Sequence, residues 1–67
     1  MGEFAKNLQR LRISKGLSQT ELSKLIGTNR SAVGNYEQGT REPSFEMLIK
    51  IAKALGCTTD ELIRGHE

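Results

Sequence analysis

Two six-residue strings, at 17–22 and 57–62, place the same kinds of residue at the same spacing. Leu17, Ser18, Glu21 and Leu22 fill the same four positions as Cys57, Thr58, Glu61 and Leu62. A hydroxyl followed three residues later by Glu is a capping box. The hydroxyl accepts a first-turn backbone N–H, and the carboxylate reaches back to the N–H of the capping residue. The apolar residues before and inside each box form a hydrophobic staple that sets the angle at which the chain enters the helix. Five of the seven glycines, Gly16, Gly27, Gly39, Gly56 and Gly65, fall where an apolar repeat of helical period stops. These starts and stops divide the chain into five short helices.

Phe4, Leu8 and Leu11 recur at helical spacing and predict a first helix that ends at Lys15 and Gly16. The second is expected over 19–26, stopped by Gly27. Asn29 caps the third, whose buried face carries Val33 and Tyr36, and Gly39 ends it. Pro43 and Ser44 open the fourth, with Phe45, Leu48, Ala52 and Leu55 turned inward and Gly56 at its end. No stretch alternates at period two, so the expected fold class is all-α, a compact five-helix bundle. No linker splits the chain, and residues 1–67 read as one domain.

Size and composition exclude most functions. A chain of 67 residues buries only about 60% of the surface its unfolded form exposes, which leaves little interior for a substrate cavity. Its only aromatics are Phe4, Tyr36 and Phe45. Cys57 is the single cysteine, so no intramolecular disulfide forms, and a lone thiol suits a reducing cytosol. Its place in the staple favours a small apolar role over redox sensing. The longest apolar run is three residues, so neither a membrane span nor a signal peptide is expected. His66 has no second His and no Cys at ligand spacing, and metal binding is not expected there. No nucleophile, base and orienting group converge, no cofactor or small-molecule ligand is evident, and an enzyme is not expected.

The net charge of +2 hides an asymmetry. Residues 1–41 carry seven Lys or Arg against three Glu, a net of +4, and residues 42–67 carry three against five, a net of −2. One electropositive face is one reading of that split, and scattered solvated charge is the other. The second and third helices, joined by the turn Gly27, Thr28 and Asn29, have the spacing of a helix-turn-helix over 19–38. Leu22, Ile26, Val33 and Tyr36 would lock the pair, with Ser23 small enough for close approach. Arg30, Ser31, Gly34, Asn35 and Gln38 remain on the outer side of the third helix. Donors of that kind read base edges in a major groove. Glycine inside a helix costs roughly 1 kcal/mol relative to alanine, so Gly34 marks either a tolerated surface glycine or a close approach of backbone to a partner.

The string LSQTELSKLIGTNRSAVGNYEQGTREPS, followed by LIKIAKALGCTTDEL, resembles the Cro and phage-repressor family of helix-turn-helix regulators, also called the Xre family. The likeness runs from about Leu8 to Leu62. It implies a cytoplasmic, bacterial or phage-encoded regulator that binds double-stranded DNA as a homodimer on a palindromic operator, most often as a repressor. By that resemblance Arg30, Ser31 and Asn35 touch base edges, and Gly34 allows close approach. Gln19 anchors a phosphate and braces Arg30, while Gln38, Thr40 and Arg41 grip the backbone. Arg12 and Glu37 match a buried interhelical ion pair. Thr20 and Lys24 stand where some members carry acidic residues that touch RNA polymerase, so activation by that route is not expected.

The resemblance fits either a single-domain regulator or an excised DNA-binding domain. A different reading is a protein-interaction module, such as an antitoxin or assembly adaptor, using the acidic half as its binding side. Leu62 with Ile63, and Met47 with Ile49, either fill the core or form a two-fold dimer patch.

Overall fold

The computed structural model describes residues 2–65, so His66 lies outside the described residues. Five α-helices follow in order: α1 Phe4–Ser14, α2 Gln19–Leu25, α3 Arg30–Gln38, α4 Phe45–Leu55 and α5 Thr59–Arg64. No strand occurs among the described residues.

The starts are made by side chains within one turn. In α2, Ser18 Oγ accepts the Glu21 amide at 3.0 Å and Glu21 Oε1 accepts the Ser18 amide at 2.8 Å. Thr58 and Glu61 exchange the same two bonds at the start of α5. Asn29 Oδ1 accepts from the Ala32 amide, and Ser44 Oγ from that of Met47. Each cap satisfies an amide that the helix itself leaves without a carbonyl.

The stop after α2 shapes the helix-turn-helix. Gly27 takes φ +73°, which lets its own N–H donate to Lys24 O and that of Thr28 donate to Ser23 O. This paired closure satisfies two carbonyls at the helix end and turns the chain into α3. Ile26 has already left helical geometry, at φ −102° and ψ 6°. The connection is therefore four residues, one longer than the turn expected from the glycine alone.

The core draws on every helix. Leu8, Leu22, Val33, Ile51 and Leu62 are fully buried at its centre, with Phe4, Ile26, Ala32, Tyr36, Leu48, Ala52 and Leu55 around them. Phe4 and Tyr36 meet edge to face with ring centres 6.3 Å apart, which ties α1 to α3. Asn7 is buried as well, and its Nδ2 donates to Leu62 O at 2.9 Å, answering a carbonyl near the end of α5.

Two expectations about α4 are corrected. Phe45 does not point inward and is 73% exposed, whereas Ile51 is buried and completes the inner stripe with Leu48, Ala52 and Leu55. Helical side chains lean toward the N-terminus of their own helix. Phe45 leans past the start of α4, and no other element covers it there as the Tyr36 ring meets Phe4 at the start of α1. Of the apolar C-terminal residues, all but half-buried Ile49 go to the core. Leu62 is fully buried, and Ile63 and Met47 are partly buried against the same cluster.

Candidate nucleic-acid interface

α3 is nine residues long, roughly 13 Å of helix, with two faces of opposite character. Ala32, Val33 and Tyr36 are buried on one side, while Arg30, Ser31, Asn35 and Gln38 are exposed on the other. α2 packs directly against α3, with Leu22 and Ser23 buried between the helices. Ser23 Oγ donates to Thr20 O at 2.7 Å, so this small buried hydroxyl is satisfied within its own helix. The outer residues of α3 therefore stand on a support held at a fixed angle.

Gly34 lies half-buried on that outer side. A methyl group built there would come no nearer than 4.0 Å to its closest neighbour, Gln19 Oε1, and the backbone is ordinary right-handed helix. Neither internal packing nor backbone conformation requires a glycine. The contact also places the Gln19 carboxamide beside the outer face of α3.

Gln19 is held differently from the expectation. Its Nε2 donates to Glu37 Oε1 at 3.0 Å, and the observed brace therefore runs to Glu37 instead of Arg30. Glu37 in turn receives Arg12, with Nε to Oε2 at 2.6 Å and Nη2 to Oε1 at 3.1 Å. The remaining Arg12 nitrogen, Nη1, donates to Leu17 O at 2.7 Å. Only 10% of the Arg12 side chain and 4% of the Glu37 side chain are exposed. This ion pair joins α1 to α3, and the Leu17 and Gln19 bonds attach the start of α2 to the same point.

The loop after α3 is fastened to the same face. Thr40 Oγ1 lies 3.3 Å from both Asn35 O and Asn35 Oδ1, and the Thr40 amide donates to Asn35 O at 3.1 Å. Arg41 places its guanidinium 5.7 Å from the centre of the Tyr36 ring. A cation held by that ring stays near the end of α3. Gln19, Gly34 and the Asn35–Thr40 pair thus share one side of the molecule, with Arg30 at the start of the helix and Arg41 beyond its end. The Gln19–Glu37 and Arg41–Tyr36 contacts were not legible in the sequence, since neither follows the spacing of a capping or same-face helical pair.

The model of the helix-turn-helix family matches residues 8–62, most of the chain. The chain belongs to the helix-turn-helix family of the Cro and phage-repressor type. Among its relatives is the SPbeta prophage-derived uncharacterized HTH-type transcriptional regulator YonR of Bacillus subtilis (strain 168). The two are 39% identical over 62 residues, which cover 92% of this chain and 57% of YonR. The chain thus spans little more than half of that relative's length. Among solved structures, the P22 c2 repressor in complex with a synthetic operator superposes with a TM-score of 0.89 at 28% identity, covering 94% of this chain and 96% of the repressor chain. The restriction-modification controller protein C.AhdI of Aeromonas hydrophila gives 0.85 at 43% identity, covering 90% and 87%.

Away from this face, the other candidates carry no comparable chemistry. Cys57 is half-buried against the core, and burial pushes its thiol up, away from a reactive thiolate. No described helix is long and apolar enough to cross a membrane.

Proposed function

We propose that this helix-turn-helix domain binds double-stranded DNA sequence-specifically, acts as a dimer on a palindromic operator and represses transcription. The observation that carries the reading is the outer face of α3, where Arg30, Ser31, Asn35 and Gln38 are exposed together on a helix whose opposite side is locked into the core. Arg30 can fork onto a guanine and Asn35 can pair with an adenine, each worth about 1 to 3 kcal/mol of discrimination. Gln19, Gln38, Thr40 and Arg41 grip phosphates and set the register without reading sequence. Only Arg41 in that set is cationic, so the affinity of one protomer falls modestly with salt.

The size of one copy is consistent with a dimer. The molecule measures 30 × 23 × 19 Å, and recognition helices one helical turn apart must be separated by roughly 34 Å, so one copy reads one half-site. The likeness to a repressor in complex with a synthetic operator supports the DNA-binding part of the reading.

Selection of bound duplexes from a random pool at physiological salt is the direct test. A palindromic consensus should emerge. Arg30→Ala should then relax preference at one position per half-site, with a loss of about 1 to 3 kcal/mol, while Arg41→Ala should weaken all duplexes about equally. If both variants lose affinity uniformly, Arg30 is not the reader. If no sequence is enriched, the domain is an interaction module and not a DNA reader.

A further inference from the structure

The Gln19 carboxamide has a nitrogen and an oxygen, and the fold engages only the nitrogen. Nε2 donates to Glu37 Oε1 at 3.0 Å. A carboxylate can only accept, so the nitrogen is the end of the carboxamide that must face Glu37. The Glu37 oxygens also receive Arg12, at 2.6 and 3.1 Å, which fixes the carboxylate in place. Gln19 Oε1 is thereby turned the other way. Among the described residues it accepts no hydrogen bond, and it lies 4.0 Å from the vacant side-chain position of Gly34.

That position is on the reading side. Gly34 stands one turn along α3 from Arg30 and Ser31 and next to Asn35, and with no side chain there a base edge can approach bare backbone. Oε1 borders the opening. A phosphate offers oxygens only, so it can use the second Nε2 hydrogen of Gln19 but leaves Oε1 unanswered. The donors in a major groove are the exocyclic amines, N6 of adenine and N4 of cytosine, whereas guanine O6 and thymine O4 are acceptors. Gln19 is half-buried, so closing the groove over it takes water from Oε1. An amine then replaces the lost bond, and a carbonyl sets acceptor against acceptor.

We infer that Gln19 reads a base as well as gripping a phosphate: Oε1, turned outward by Glu37, accepts from an exocyclic amine and selects adenine or cytosine at one position of the half-site. Glu37 touches no base and acts as the positioning residue. The inference rests on the DNA-binding reading above and adds to it one reading atom and the choice that atom makes. A bond to an amine against two facing acceptors should separate amino from keto bases roughly 10-fold.

The test selects duplexes from a random pool with the native chain, Gln19→Met, Glu37→Gln and Arg30→Ala. Each is then titrated against the native consensus with base analogues that lack only the exocyclic amine, placed in turn at every adenine and cytosine. The native chain should lose roughly 10-fold at one such position, and Gln19→Met should bind that duplex and its parent alike. Glu37→Gln keeps the shape but turns an amide nitrogen toward Gln19 while its oxygen stays on Arg12. The Gln19 carboxamide then flips, and preference at that position should move from adenine or cytosine to guanine or thymine. Gln19→Met leaves the Arg12–Glu37 pair in place, so it decides the matter where Glu37→Gln does not fold. A uniform loss of affinity in Gln19→Met, with the amine preference kept, makes Gln19 a phosphate ligand alone and overturns the inference while DNA reading stands. So does a folded Glu37→Gln that keeps the native preference. If Arg30→Ala loosens the same position, Oε1 is a brace for Arg30 and the inference is again overturned. If the native chain enriches no sequence, the DNA reading fails and the inference fails with it.

Discussion

At the start of α2, Ser18 and Glu21 exchange bonds of 3.0 and 2.8 Å, and at the start of α5, Thr58 and Glu61 exchange two bonds of 3.0 Å. The two helices begin alike and occupy different places. α2 runs into Gly27 and the Asn29 cap, packs on α3, and sends the Gln19 side chain to Glu37. α5 packs on α1 and α4, buries Leu62 and has its Leu62 carbonyl answered by Asn7. The capping box makes a helix begin. What the helix then does depends on the surface that receives it.

Removing the tertiary anchor of each helix should break this comparison with the largest effect. Glu37→Ala leaves the buried Arg12 without its partner and should cost about 3 to 5 kcal/mol in chemical denaturation. Leu62→Ala empties a fully buried site on α5 and should cost about 2 to 5 kcal/mol. In duplex titrations corrected for the folded fraction, Leu62→Ala should bind as the native chain does. Glu37→Ala should bind more weakly, because Gln19 loses the acceptor that orients it.

Removing the caps gives a smaller and more even effect on folding. Ser18→Ala and Thr58→Ala should each lower stability by about 1 kcal/mol. Only Ser18→Ala should also reduce duplex affinity, since α2 carries Gln19 to the reading face. Equal losses of affinity from both would show that the box acts only through global stability.

Gly34→Ala sharpens the contrast between folding and reading at one position. A methyl group fits there, so the variant should gain about 1 kcal/mol of stability from helix propensity. If the proposed reading of Gly34 holds, the variant should at the same time bind the selected duplex more weakly, because the added carbon would stand where the helix approaches the groove. Unchanged binding would make Gly34 an ordinary surface glycine.

The smallest expected effect is with pH. The backbone N–H of Ser18, then its hydroxyl, hold the Glu21 carboxyl below the ordinary carboxylate range. A lowered folded-state value stabilises the fold above the unfolded pKa, and that contribution is lost as pH falls through the folded value. The stability difference between the native chain and Glu21→Gln should therefore be present at about pH 6 and shrink by about pH 3.

Much of the fold was legible because its signals are short-range. Four of the five starts and all five glycine stops are chemistry within a few residues, and each expected stop takes a positive φ. The outer face of α3 was legible for the same reason, since helical period alone separates Arg30, Ser31, Asn35 and Gln38 from Val33 and Tyr36. Phe45 was misplaced because an apolar residue in helical phase is buried only when another element covers it. The apolar stripe of α4 did not reveal that its first turn overhangs the core. The partner of Gln19 was likewise hidden, as Glu37 lies 18 residues away and on another helix.

Caps, stops and the two-sided character of α3 are properties of the chain by itself, since a capping bond spans three residues and backbone geometry places its donor and acceptor together. Tertiary packing decided that Ile51 and Leu62 close the core, that Asn7 answers a carbonyl 55 residues away, and that Arg12, Glu37 and Gln19 meet at one point. It also decided that Phe45 stays in solvent. Burial and long-range pairing depend on which surface arrives opposite a side chain, and that is set only when all five helices pack together.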